Sequence, residues 1–150
     1  MSIDTITLAT AQLEPPGDWP PDLQSEFREH QLSGCVGHVL VSESERVRVW
    51  SLCLQPGERL PFHRHVLDYF WTATTAGKAR SRYGDGRISE PEYQAGDTMH
   101  FTFASGEFMV HDLENIGSKE LCFTTVEFLD SANAPLEVPS AVRRRERTKY

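Results

Sequence analysis

The chain has 150 residues, of which 39% are hydrophobic and 25% are charged, and its formal net charge at pH 7 is −7. This length is sufficient for one globular domain with its own core. The acidic balance argues against a nucleic-acid-binding function, which usually requires an excess of basic residues. No apolar stretch approaches the roughly 18 residues of a membrane span, so no membrane association is expected.

The first 33 residues predict an N-terminal arm followed by a short helix. Residues 5–13 are mildly apolar, and the prolines between positions 15 and 21 interrupt any regular element. Residues 22–31 predict a helix that Asp22 caps, with Leu23 and Phe27 on one face. No basic segment followed by a long apolar run begins the chain, so no signal peptide is predicted.

From residue 34 the hydrophobic pattern alternates with a period of two, which is typical of β-strands. Short strands separated by glycine- and proline-containing turns indicate an all-β sandwich or barrel over residues 34–130. Residues 131–150 predict an extended tail on the surface or on another subunit. The candidate strands are 37–42, 46–54, 68–74, 78–83, 87–89, 98–103, 108–114 and 120–129.

The tail ends in a basic run, which we interpret as a solvated segment, with binding of an anionic partner as the alternative. The run consists of Arg143, Arg144, Arg145, Arg147 and Lys149.

The three cysteines, Cys35, Cys53 and Cys122, are odd in number and widely spaced. That pattern does not indicate a disulfide framework, so reduced thiols and a cytoplasmic protein are expected. Cys53 and Cys122 are interpreted as small buried apolar residues.

A candidate metal site begins in the segment from Gly57 to His65, where a Pro-Gly turn precedes a His-Arg-His sequence. In an extended chain His63 and His65 point to the same face, which supplies two nitrogen ligands. His111, on a later strand, offers a third. Three histidines leave positions open on a metal, as in catalytic sites. The alternatives are an exposed strand edge for the pair and a hydrogen-bonded core histidine for His111.

These residues resemble the motifs of the cupin superfamily. The spacing from Gly57 to His63 and His65, with a glycine after the next strand, matches the first cupin motif, G-x5-H-x-H. The spacing of His111 and Asn115 matches the H-x3-N end of the second motif. The resemblance covers about residues 34–129 and implies a double-stranded β-helix, or jelly-roll barrel, with a divalent metal held by the three histidines.

The chain departs from the cupin pattern where a glutamate ligand is usual, since the residue four positions after His65 is Tyr69. Strand parity places Tyr69 on the face of His65, and Asp68 on the other face unless a bulge turns it. A three-histidine site with Tyr69 as its catalytic residue is therefore expected. The second motif also lacks its proline and has a longer interval, in which His100 is interpreted as an ordinary strand residue.

A divalent iron, manganese, nickel or zinc ion on three neutral histidines would keep its charge and several open positions. The resemblance implies a dioxygenase-like enzyme for a small organic acid, while the missing glutamate argues against the oxalate-degrading cupins. Trp71 and Met109 are assigned to a substrate pocket. Arg80 would bind a substrate carboxylate if it faced the barrel interior, and is otherwise solvated.

Two other functions remain open from the sequence. One is a non-enzymatic binding or sensor protein, and the other is a metal-free isomerase that uses histidine and tyrosine as acid and base. The resemblance also implies a homodimer, formed through an N-terminal arm of about residues 1–13.

Overall fold

The structure, a computed structural model, describes residues 9–144. Within that range one helix of the predicted kind precedes a set of antiparallel strands, which confirms the all-β class with a short N-terminal helix. The elements are α1 Pro21–His30, β1 Val39–Glu43, β2 Val47–Leu54, β3 Arg59–His65, β4 Tyr69–Ala73, β5 Gly77–Arg82, β6 Ile88–Ser89, β7 Glu92–Tyr93, β8 Thr98–Phe101, β9 Met109–Asn115 and β10 Leu121–Phe128.

The strands form two sheets that enclose a common interior. One sheet has the order β1-β2-β10-β4-β8, and the other has the order β3-β9-β5-β6, with β7 also pairing with β5. Strands distant in sequence are neighbours, as β2 and β10 or β3 and β9 are, which is the crossover pattern of a jelly roll. The inner faces share a core made of Leu52, Leu54, Leu60, Ala73, Ala79, Leu113, Leu121 and Phe123.

Strand β3 is absent from the candidate strands, although the His-x-His segment is correctly expected to be extended. Its sequence hides the alternation because Pro61 interrupts the run and Arg64 is buried rather than exposed. The pairing of β3 with β9 is also irregular between Leu60 and His63, which marks a β-bulge.

Helix α1 begins at Pro21, a residue favoured at the first helical position, and no side chain caps it. The expectation that Asp22 caps the helix is therefore wrong, because Asp22 already lies in the first turn. Phe27 is fully buried, as its face predicted, and its ring lies 5.1 Å from that of Phe62 on β3 and 5.7 Å from that of Trp19. This aromatic cluster holds the helix against the outer face of the second sheet.

Arg64 attaches the N-terminal segment to the same outer face. Its guanidinium donates hydrogen bonds to the carbonyls of Ala9 and Gln31, and it lies 4.0 Å from the ring centre of Phe108. Burial lowers the pKa of Arg64 to about 10, so it remains charged at neutral pH. The His-Arg-His sequence thus presents its arginine to the N-terminal segment and its two histidines to the barrel interior.

The cysteine prediction is wrong for two of the three residues, because Cys53 and Cys122 form a disulfide. The two lie directly opposite each other on β2 and β10, with their Cα atoms 4.1 Å apart. Cys53 is exposed rather than buried, while Cys35 is a free, half-buried thiol. The cytoplasmic expectation rested on reduced cysteines, and this disulfide removes that support.

The described part of the tail lies on the barrel surface. Arg143 forms an ion pair of 2.7 Å with Glu43, and the Arg144 amide donates to the carbonyl of Leu40. Residues 1–8 of the predicted arm, and Arg145, Arg147 and Lys149 of the basic run, lie outside the described residues. No helix between residues 9 and 144 is long and apolar enough to cross a membrane.

Candidate metal centre and cavity

The three predicted ligands meet on two adjacent strands. His63 on β3 pairs directly with His111 on β9, and His65 follows two residues later. The bulge after Leu60 adds one residue to β3, so that Leu60, His63 and His65 all face the interior while Phe62 packs against the helix. Regular alternation without the bulge would point Leu60 and His63, three positions apart, to opposite faces.

The geometry of the three imidazoles suits a single ion. Their ligand nitrogens lie within 4.8 Å of one another, and the Nε2 atoms of His65 and His111 are 3.2 Å apart. Two nitrogens that share an ion at about 2.1 Å each are separated by roughly 3.0 to 3.4 Å. No carboxylate among the described residues joins this cluster.

The protonation state of the triad also suits a metal. His63 donates its Nδ1 proton to the carbonyl of Pro61 at 2.8 Å, which leaves the Nε2 lone pair free. The buried Nδ1 atoms of His65 and His111 have no hydrogen-bond partner among the described residues. Burial lowers the pKa of His63 to about 4 and those of His65 and His111 well below 6.5. All three are therefore neutral at neutral pH, as metal ligands must be.

Two tyrosines flank the triad. Tyr69, the predicted catalytic residue, stacks on His65 with ring centres 4.1 Å apart, and burial raises its pKa well above 10. Tyr83 stacks on His111 at 5.4 Å and carries the guanidinium of Arg87 over its ring at 4.1 Å. The sequence reasoning missed Tyr83, which follows β5 directly, although its alternation with Ala79 and Ser81 could have placed it inside.

The triad lies on the wall of a cavity of about 480 Å³ between the two sheets. This volume is within the range of small-molecule sites. The residues that line it include the triad, both tyrosines, and the predicted pocket residues Trp71 and Met109, together with Leu52, Leu60, Tyr93, Met99, Phe101, Leu113 and Phe123.

The structure does not bring Arg80 to the cavity. Lys78, Arg80 and Arg82 share a face of β5, as predicted, but that face points away from the interior. The guanidinium of Arg80 pairs instead with Glu90 at 2.7 Å and Glu114 at 3.6 Å. The assignment of Arg80 to substrate binding is corrected for this reason.

Three further polar candidates also lie away from the triad. The carboxylate of Asp68 accepts a hydrogen bond from the amide of Phe103, and His100 is exposed on the outer face of β8. Asn115 is fully buried but donates to the carbonyls of Leu54 and Lys119, so it closes loops rather than binding a ligand.

Glu127 is a buried carboxyl that the sequence reasoning missed. It lies on β10 opposite Tyr69, and it accepts a hydrogen bond of 2.8 Å from the indole Nε1 of Trp50. Burial raises its pKa to about 7. The sequence did contain a signal for it. Glu127 alternates with Thr125 along the strand that ends at Phe128, so it shares the inward face.

Replacing Glu127 with glutamine is expected to raise the free energy of unfolding of the metal-free protein at alkaline pH. Between the unfolded pKa of 4.5 and the folded value of about 7, the unfolded state releases a proton that the folded state keeps. Stability therefore falls over this interval as the pH rises. Glu127→Gln should remove that loss, a gain of about 3 kcal/mol at alkaline pH and almost none at acid pH.

The measurement is urea unfolding of chelator-treated protein across this pH range, with exposed Glu45→Gln as the matched control. An equal effect of Glu127→Gln at both ends of the range would show that Glu127 does not titrate as described.

Comparison with known proteins gives a distant relation and a shared fold. No protein-family model matches the chain. It is 31% identical over 98 residues to oxalate decarboxylase OxdC of Bacillus subtilis (strain 168), covering 60% of this chain and 24% of that protein. The chain thus spans about a quarter of the length of this curated relative.

Two solved structures match part of the chain, and the first of them supports a comparison of folds. A cupin domain from Bordetella pertussis Tohama I matches with a TM-score of 0.52 and 24% identity, over 58% of this chain and 85% of that one. An RmlC-like cupin family protein from Methanocaldococcus jannaschii, with a double-stranded β-helix fold, matches with a TM-score of 0.47 and 21% identity, over 58% and 73% of the two chains. The predicted resemblance is confirmed at the level of the fold: this chain has the cupin fold, a double-stranded β-helix.

Proposed function

We propose that this protein is a metal-dependent, dioxygenase-like enzyme that acts on a small organic acid. The observation that supports the proposal is the triad of His63, His65 and His111, neutral and opening onto a cavity of about 480 Å³. A divalent ion held there would supply Lewis-acid and redox chemistry at the cavity wall. Neutral nitrogen ligands suit Fe²⁺, Mn²⁺, Ni²⁺ and Zn²⁺ alike, so the donor set does not select among them.

The residues around the triad have distinct proposed roles. Tyr69 keeps its phenolic proton because of its raised pKa, so it acts as a hydrogen-bond donor to the bound acid. Its stacking on His65 also fixes the orientation of that imidazole. Trp71 and Met109 contact the apolar part of the substrate and exclude water from it.

A non-enzymatic binding or sensor function is the alternative. It is favoured by the lack of a buried carboxylate in the cavity lining among residues 9–144, since the two carboxylates that line it, Glu92 and Asp97, are exposed. With such a lining, turnover would depend on the metal and Tyr69 alone. A metal-free isomerase is a weaker fit, because stable metal binding by the triad would block its histidines.

The test is oxygen consumption by protein loaded separately with each of the four metals, supplied with a panel of small organic acids. Consumption that requires iron or manganese and is lost in Tyr69→Phe or His65→Ala is the expected result. Binding of acids without turnover under any metal would favour the sensor function instead.

The cupin resemblance also supports a proposed homodimer, whose predicted arm lies mostly outside the described residues. Analytical ultracentrifugation of the full chain checks it, and a monomer at micromolar concentration would contradict it.

A further inference from the structure

We propose that the cavity takes a monocarboxylic acid with an apolar body of aromatic size, bound to the triad metal through its single carboxylate. This inference rests on the proposed function and names its substrate class. It is carried by the charges and shapes that line the cavity.

The cavity lining offers no cation besides a bound metal. No lysine or arginine of residues 9–144 lines it. Arg87 stacks over Tyr83, which flanks the triad, but it faces Asp85 at 3.7 Å and is 64% exposed. Arg48 is occupied by Glu43 and the carbonyl of Leu136. One carboxylate can therefore be neutralised inside the cavity, by the metal, and a second cannot.

The charges at the mouth act against a second carboxylate as well. Glu92 and Asp97 line the cavity and are exposed, so they are the ionic groups that an entering molecule passes. A dicarboxylate would place its outer charge near these like charges or bury it against apolar walls. Burying an unpaired carboxylate is unfavourable, because the group loses its hydration without gaining a partner.

The walls away from the triad are built from aromatic rings. Trp71, Tyr93 and Phe123 pack nearly perpendicular to one another, with ring centres between 5.0 and 5.5 Å apart. Tyr69 stacks on Phe101 at 4.7 Å with an angle of 8° and on His65 at 4.1 Å, so a row of stacked rings lines the cavity beside the triad. A wall built from aromatic rings favours a ligand with an apolar body of its own.

The volume leads to the same class of ligand. A cavity of about 480 Å³ holds roughly sixteen water molecules at liquid density. A two-carbon acid would leave most of this space filled with water against apolar walls. A ring-sized body would displace that water and gain the free energy of apolar burial.

The experiment compares three matched acids on zinc-loaded protein, because zinc allows binding without redox turnover. Acetate has the carboxylate alone, 3-phenylpropanoate adds the ring, and 3-(4-carboxyphenyl)propanoate adds a second carboxylate to that ring. Titration calorimetry should give 3-phenylpropanoate a Kd at least tenfold lower than either of the others. Equal or tighter binding of acetate or the dicarboxylate would overturn the assignment.

A charge placed at the mouth provides an independent test. Met99 lines the cavity and is 51% exposed, so Met99→Lys is tolerated at the surface and adds the missing cation. It should reduce the discrimination against the dicarboxylate at least threefold. Ile88→Lys, at a residue that is 54% exposed but does not line the cavity, should leave it unchanged.

The zinc content is measured first, which separates the two proposals. Protein that binds one zinc per chain but ranks the acids differently overturns the substrate class alone. Protein that binds no zinc overturns the proposed function and this inference with it.

Discussion

Replacing Asp112 with alanine is expected to lower the free energy of unfolding by about 3 to 5 kcal/mol. Asp112 is completely buried on β9, and its carboxylate accepts hydrogen bonds from Arg59 at 2.7 Å and Arg82 at 2.8 Å. It also accepts one from the backbone amide of Arg82. Removing it leaves two partly buried guanidinium groups without this shared partner.

Loss of the Asp112 carboxylate should also weaken the attachment of helix α1 to the sheet. Arg59 bridges Asp112 to Glu26 of α1, so the same carboxylate holds the helix to the sheet. The measurement is urea unfolding of chelator-treated protein. The control is Glu90→Ala, which breaks a half-exposed pair with Arg80 and should cost much less than Asp112→Ala. A cost for Asp112→Ala no larger than the control would show that the network contributes little.

Replacing His111 with alanine is expected to abolish stable metal binding. The triad loses one of its three ligands and its connection to β9, leaving two imidazoles on one strand. Loss of a residue that only orients a ligand costs 10- to 100-fold in metal affinity, so loss of a ligand should cost more than about a hundredfold. Metal content after dialysis, together with competition against a coloured chelator, measures the change.

His100→Ala is the matched control, because His100 is an exposed strand histidine on the outer face of the other sheet. It should keep the metal content and affinity of the original protein. Retention of one metal per chain by His111→Ala, with unchanged affinity, would exclude His111 as a ligand.

The sequence predicts that His63, His65 and Tyr69 face the same side because their placement follows local rules. The alternation of His63 and His65 in an extended segment needs only strand parity, and the same parity places Tyr69 beside His65. The turn before them also follows local chemistry: Gly57 has a φ of +84°, which favours glycine. These features require no knowledge of distant contacts.

The features that the sequence reasoning missed depend on pairing between distant strands. Cys53 and Cys122 are 69 residues apart, and only the register of β2 with β10 makes them opposite neighbours. The direction of Arg80 is a similar case, since alternation shows which residues share a face but not which face is inside. The bulge that turns Leu60 and His63 to the same side is visible only against β9.

The most direct test of the metal centre is a crystal structure of metal-loaded protein, with the ion located by anomalous scattering. We predict one ion per chain within about 2.0 to 2.3 Å of a ring nitrogen of each of His63, His65 and His111, with no carboxylate ligand from the chain. An ion bound by Asp68, or at the exposed carboxylates of Glu92 and Asp97 while the triad stays empty, would contradict it.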